Sequence, residues 1–99
     1  MNSGYFIEPT LFANVDNASR IAQEEIFGPV LCLIPAEDED DAIRIANESR
    51  FGLSGAVLTH DVDAAYDIAR RVRTGTMNQN GIKLELGVPF GGYKQSGIG

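Results

Sequence analysis

Two adjacent carboxylates, Glu24 and Glu25, stand just before Ile26 and the turn Phe27-Gly28-Pro29, where the chain is about to enter the apolar run Val30-Leu31-Cys32-Leu33-Ile34. Acids placed so close to a buried segment raise the question of which one has a partner. The plain chemistry of an acid beside a Gly-Pro turn is a surface or capping role. Other reactive side chains are few. Cys32 is the single cysteine; inside an apolar run, with no base or cation beside it in sequence, it is expected to be a buried, inert thiol. His60 is the single histidine, at a strand-to-helix junction, and reads as a solvated loop residue. One His and one Cys far apart offer too few soft ligands for zinc, so no metal site is expected. The glycines of FGGYKQSGIG form neither a G-x-G-x-x-G between a strand and a helix nor a Gly-Lys-Ser/Thr phosphate loop, and they read as turn residues first.

The composition narrows the function classes. The chain has 99 residues, 43% of them hydrophobic, which fits one globular unit with a core thinly balanced against conformational entropy. Fourteen acidic against eight basic residues give a net charge of -6, which argues against binding a nucleic-acid backbone or an anionic membrane surface through bulk charge. No apolar run approaches the roughly 18 residues of a membrane span. The start MNSGYFIEPT lacks the charged and apolar regions of a secretory signal, so the whole sequence is read as mature. A lone cysteine forms no internal disulfide, which suits a reducing, cytoplasmic compartment.

The elements that must position these residues follow from pattern. Tyr5 to Val15 is aromatic and branched but carries Pro9, which predicts an edge strand or one broken near the proline. Asp16, Asn17 and Ser19 are cap-type residues ahead of a short helical turn through about Gln23. The unbroken apolar run from Val30 to Ile34 predicts a strand covered on both faces. The acidic run Glu37 to Asp41 is read as a solvated helix start. The spacing then predicts a helix over 38–47, with Ala42, Ile43, Ile45 and Ala46 inward and acids near the positive end of its dipole. Phe51-Gly52 is read as its close. Leu53 to Thr59 reads as a second strand, and Asp61 and Asp63 open a third helix with Ala65, Ile68, Ala69 and Val72 inward and Arg70, Arg71 and Arg73 in its last turns. Gly75 is its stop, Thr76 to Asn80 a short final strand, and the glycine-rich tail irregular. Strands alternating with helices predict an α/β fold, a three-layer parallel-sheet βαβ arrangement.

Five stretches together carry a resemblance: GYFIEPTLFANV (4–15), EEIFGPVL (24–31), GLSGAVLTHD (52–61), Gly75-Thr76 with Asn80 beyond, and PFGGYKQSGIG (89–99). In this order and at these separations, across essentially the whole chain, they resemble the C-terminal part of the catalytic domain of NAD(P)-dependent aldehyde dehydrogenases. The resemblance implies an oxidoreductase that converts an aldehyde to a carboxylic acid with NAD or NADP. In that family a cysteine thiolate attacks the carbonyl, hydride passes to the nicotinamide, and a glutamate activates water for hydrolysis. It also implies that Glu25 holds the ribose next to the nicotinamide, since a carboxylate can accept hydrogen bonds from both hydroxyls of a diol. Phe27 then matches an aromatic beside the nicotinamide ring and Phe90 a wall of the aldehyde tunnel, while Glu24 is left structural.

The resemblance assigns no catalytic residue to this chain. The family's nucleophilic cysteine, general-base glutamate and dinucleotide-binding domain match no stretch of it and are expected upstream, so the 99 residues are expected to be one segment of the catalytic domain and inactive alone. The family's extreme C-terminal strand, used in oligomerisation, is likewise unmatched. Gln79 stands where relatives usually have an apolar strand residue, and Ile82 to Val88 is a loop that varies in the family. The expected partners are NAD(P), an aldehyde and further copies of the same chain in a homo-oligomer, with no nucleic acid and no membrane. A stand-alone α/β association module without catalytic activity is the other function class left open.

Overall fold

The alternation read from the sequence is realised as six short strands and three helices in the computed structural model, which describes residues 3–99. Met1 and Asn2, the first residues of the N-terminal stretch read above, lie outside the described residues. The chain divides into two compact units, Met1–Glu37 and Asp38–Gly99.

In the first unit, β1 (Thr10–Phe12) and β2 (Val30–Cys32) form a parallel ladder with Thr10 opposite Val30 and Phe12 opposite Cys32. Proline has no N–H to give, and the strand begins directly after Pro9, where the Thr10 N–H donates to the Pro29 carbonyl at 2.8 Å. Asn14 turns the chain with a φ of 53°, a left-handed conformation that Asn tolerates better than most residues. The Asp16 carboxylate accepts from the Ala18 N–H at 2.9 Å and leads into α1 (Arg20–Gln23), with Ser19 at its N-cap.

Of the strand expected over 30–34 only Val30–Cys32 forms, and the cover its pattern demands is missing from its own unit: Leu31 is 61% and Leu33 49% exposed. Cys32 is correspondingly half-buried rather than buried, its thiol 3.7 Å from the Ile21 carbonyl. An apolar run states that cover is needed and does not state what supplies it.

In the second unit, α2 (Glu39–Asn47) starts where the acids predict it, with the Asp38 carboxylate capping the Asp41 N–H at 2.8 Å. Its inward stripe is narrower than expected: Ile43 is buried and Ile45 half-buried, but Ala42 and Ala46 are exposed. Next come β3 (Phe51–Gly52), β4 (Ser54–Val57), α3 (Val62–Arg71) and β5 (Thr76–Gln79). Asp61 caps α3 through the N–H groups of Asp63 and Ala64, and Ala65 is its buried residue. β4 and β5 pair in parallel across α3, a βαβ unit.

Two expectations fail here. Phe51-Gly52 is a strand, not a helix close, and the tail is not wholly irregular, because β6 (Tyr93–Lys94) pairs antiparallel with β3. Neither strand has a partner within forty residues in sequence, so no local pattern announces them. The three ladders are two-stranded each.

The charged ends of α2 and α3 meet. Arg71 pairs with Asp40, with Glu39 at 3.7 Å and with Asp67 at 3.4 Å, and the Asn47 side chain donates to the Arg71 carbonyl and accepts from the Arg73 N–H, each at 2.8 Å. Arg44 pairs with Asp41 in its own helix and with Glu48 at the helix C-cap, and these hydrogen bonds raise the pKa of its guanidinium above the usual value.

Candidate functional site

The stretch from Glu24 to Pro29 is held at both ends. At the first, the Glu24 N–H donates to the Arg20 carbonyl and closes α1. At the second, Pro29 is tied to β1 through Thr10, and the Val30 N–H reaches the Gly28 carbonyl at 2.8 Å, so β2 starts at once. Between them the Gly28 N–H bonds the Ile26 carbonyl at 2.9 Å, a tight three-residue turn that lifts the Phe27 side chain outward.

The two acids have different surroundings. The Glu24 carboxylate takes a two-pronged hydrogen bond from Arg20, with Nε to Oε1 at 2.9 Å and Nη2 to Oε2 at 3.1 Å. That hydrogen bond first, and the charge of Glu24 second, raise the Arg20 pKa above its usual value. The Glu25 side chain is exposed and has no hydrogen-bond or ion-pair partner among the described residues. Arg20 was not singled out from the sequence, although its spacing of four from Glu24 on a helical turn is the signal that finds such pairs.

Phe27 is 94% exposed, an aromatic face with no cover from its own unit. Next to it in sequence, an open apolar groove of about 470 Å³ runs between Pro9–Leu11 and Gly28–Leu31. Glu25, Phe27 and this groove belong to one short segment, in the first unit. Phe90 belongs to the second unit and is 64% exposed, at the end of a segment in which Ile82, Leu84, Leu86 and Val88 are also exposed. These apolar residues alternate with Lys83 and Glu85, which pair with each other at 3.0 Å.

Gln79 ends β5 with an exposed side chain that donates to the Thr59 carbonyl at 2.8 Å, which accounts for a polar residue at that place. His60 is exposed, in the loop before α3. Among the described residues no group of three or more His, Cys, Asp or Glu is placed to hold a metal ion, and no helix is long and apolar enough to cross a membrane.

The family profile of the aldehyde dehydrogenase family matches residues 1–99. A geranial dehydrogenase of Castellaniella defragrans is 57% identical over 96 residues, which are 97% of this chain and 20% of that protein. A 3-succinoylsemialdehyde-pyridine dehydrogenase of a Pseudomonas species is 52% identical over 99 residues, 100% of this chain and 21% of that protein. Among solved structures, the aldehyde dehydrogenase of Mycobacterium tuberculosis complexed with NAD+ superimposes with a TM-score of 0.93 at 57% identity, covering 97% of this chain and 20% of that one. The chain thus spans about a fifth of the length of the proteins it matches. Its fold agrees with the solved structure and its sequence with all three over that fifth, and the chain belongs to the aldehyde dehydrogenase family.

Proposed function

We propose that this chain is the part of an NAD(P)-dependent aldehyde dehydrogenase that grips the nicotinamide end of the coenzyme and borders the aldehyde path, within an enzyme that oxidises an aldehyde to a carboxylic acid. The observation that carries the reading is the division of labour between the adjacent acids: Arg20 occupies Glu24, while the Glu25 carboxylate is exposed and unpartnered among the described residues. Two free acceptor oxygens on a segment anchored at both ends suit a vicinal diol, whose hydroxyls both donate. Phe27, exposed and two residues on, offers a flat apolar face for a ring that must not swing. The residues present therefore fit a nicotinamide nucleotide, whose contribution when bound is to accept hydride. Both NAD and NADP satisfy these contacts, because neither residue faces the adenosine ribose in this assignment.

In this reading Glu25 orients, Phe27 restricts and Phe90 shapes the aldehyde tunnel, and none of the three moves a proton. The nucleophilic cysteine and the general-base glutamate come from elsewhere in the intact enzyme, so the 99 residues alone oxidise no aldehyde. The exposed alternating residues from Ile82 to Phe90 favour an apolar aldehyde, in keeping with the geranial dehydrogenase relative. Large exposed apolar side chains such as Leu31 and Leu86 favour assembly with further copies, and the unpaired thiol suits the cytoplasm.

The test is Glu25→Gln in a complete enzyme containing these residues. Weakening a charged acceptor should raise the KM for NAD(P) about tenfold and slow hydride transfer, the equivalent of roughly 1.5 kcal/mol. If neither parameter moves, the ribose assignment is wrong. For the substrate class, kcat/KM on a chain-like apolar aldehyde should exceed that on a carboxylated semialdehyde of similar length; the reverse order removes the apolar tunnel.

A further inference from the structure

The glycine-rich tail is fastened to the body of its unit by four hydrogen bonds within three consecutive residues, 94–96. The Lys94 ammonium, half-buried, donates to the Asn47 and Ser49 carbonyls, each at 2.8 Å. The Gln95 N–H donates to the Arg50 carbonyl at 3.0 Å, and the Ser96 hydroxyl accepts from the Gly52 N–H at 2.9 Å. Asn47 is the last residue of α2, where carbonyls lack helical partners and the dipole is negative, so a cation is placed where the helix most needs one. Lys94 also has a φ of 55°, a left-handed conformation that a lysine keeps only where its surroundings fix it.

From Lys94 the order passes back along the chain. The Gly92 N–H bonds the Gly97 carbonyl at 2.8 Å, which folds residues 92–97 into a closed loop. Gly91 lies against Gly75 so closely that a methyl group on Gly75 would sit 1.7 Å from the Gly91 carbonyl oxygen. The residue next to Gly91 is Phe90, and its own side chain is largely exposed, so what sets its direction is the backbone behind it.

We propose that Lys94 is a positioning residue for Phe90: by capping α2 it fixes the Gly91-Gly92 backbone and so the wall that Phe90 presents to the aldehyde. The inference rests on the tunnel-wall assignment of Phe90 made above. Lys94 touches neither aldehyde nor coenzyme in this role.

The experiment compares Lys94→Met, Lys94→Arg and Phe90→Ala in a complete aldehyde dehydrogenase whose chain includes these 99 residues, reading KM for aldehyde and for NAD+ separately. Lys94→Met should raise the aldehyde KM about tenfold and leave the NAD+ KM within about twofold, and Lys94→Arg, which keeps the charge and donors, should recover most of the loss. If Phe90→Ala raises the aldehyde KM and Lys94→Met does not, or if Lys94→Met raises both KM values alike, the positioning role is overturned and the tunnel wall stands. If Phe90→Ala leaves the aldehyde KM unchanged, the tunnel wall falls and takes this inference with it. Should Lys94→Met yield no folded enzyme, Ser96→Ala gives the same reading on a smaller scale, an aldehyde-selective rise of about threefold, and no selective rise overturns the role.

Discussion

Described residues 3–37 bury no side chain, whereas residues 38–99 bury Ile43 and Ala65 and tie α2, α3 and the tail together through Asn47, Arg71 and Lys94. Both regions have apolar runs of similar strength in sequence. The difference is that the second encloses part of its apolar surface with two longer helices, while the first has one two-stranded ladder and the single turn α1, an arrangement that is marginal in water without further cover. Its five-residue apolar run, Val30 to Ile34, needs a face that its own unit does not supply. The same contrast holds for function. The first unit contributes exposed chemistry, Glu25 and Phe27, on a segment anchored by local bonds; the second contributes an exposed aromatic, Phe90, anchored by bonds between residues more than forty positions apart.

The contrast can be broken or sharpened by substitution. The largest effect is expected at Gly75→Ala, where the added methyl meets backbone that cannot move aside; a loss of about 3 kcal/mol or more, read from urea unfolding, is the expected result for overpacking of this kind. A loss below about 0.5 kcal/mol would show that the tail yields easily and that the second unit is no more tightly built than the first. Next, Ile43→Ala should cost about 2 kcal/mol or more, against less than about 1 kcal/mol for Leu31→Ala, since Ile43 is 8% and Leu31 61% exposed. Equal losses measured on the chain by itself would mean that Leu31 is covered in solution, as self-association would do. The smallest effect belongs to Glu24→Gln, which should change stability by less than about 0.5 kcal/mol, because an exposed pair gains little in water. A loss above about 1 kcal/mol would make the Arg20–Glu24 bond a structural anchor of the Glu25 segment instead of a surface pair.

Much of the fold was legible because its signals are local. Asp38 and Asp61 announce their helices by accepting N–H groups two or three residues on, and β1 begins where Pro9 releases the ladder. The β3–β6 pair was not legible, since two residues of strand carry no periodicity and their partners are remote in sequence. Cys32 shows the converse error: the run around it is as apolar as a buried strand, yet half-burial is what this chain gives it. At the candidate site, the resemblance nominated Glu25 and Phe27, and the geometry added a reason to separate Glu25 from Glu24 that no reading of composition contains.

What the sequence determined by itself is the set of choices made within a few residues: where helices start and which stretches must be extended, since capping and apolar runs are properties of neighbours. What only the tertiary structure decided is which of those elements are fastened to one another. The Lys94 ammonium on the end of α2, the close passage of Gly75 and Gly91 and the exposure of Leu31 all depend on loops being closed over long separations, and the free energy of closing them is shared among contacts that no single stretch of sequence contains.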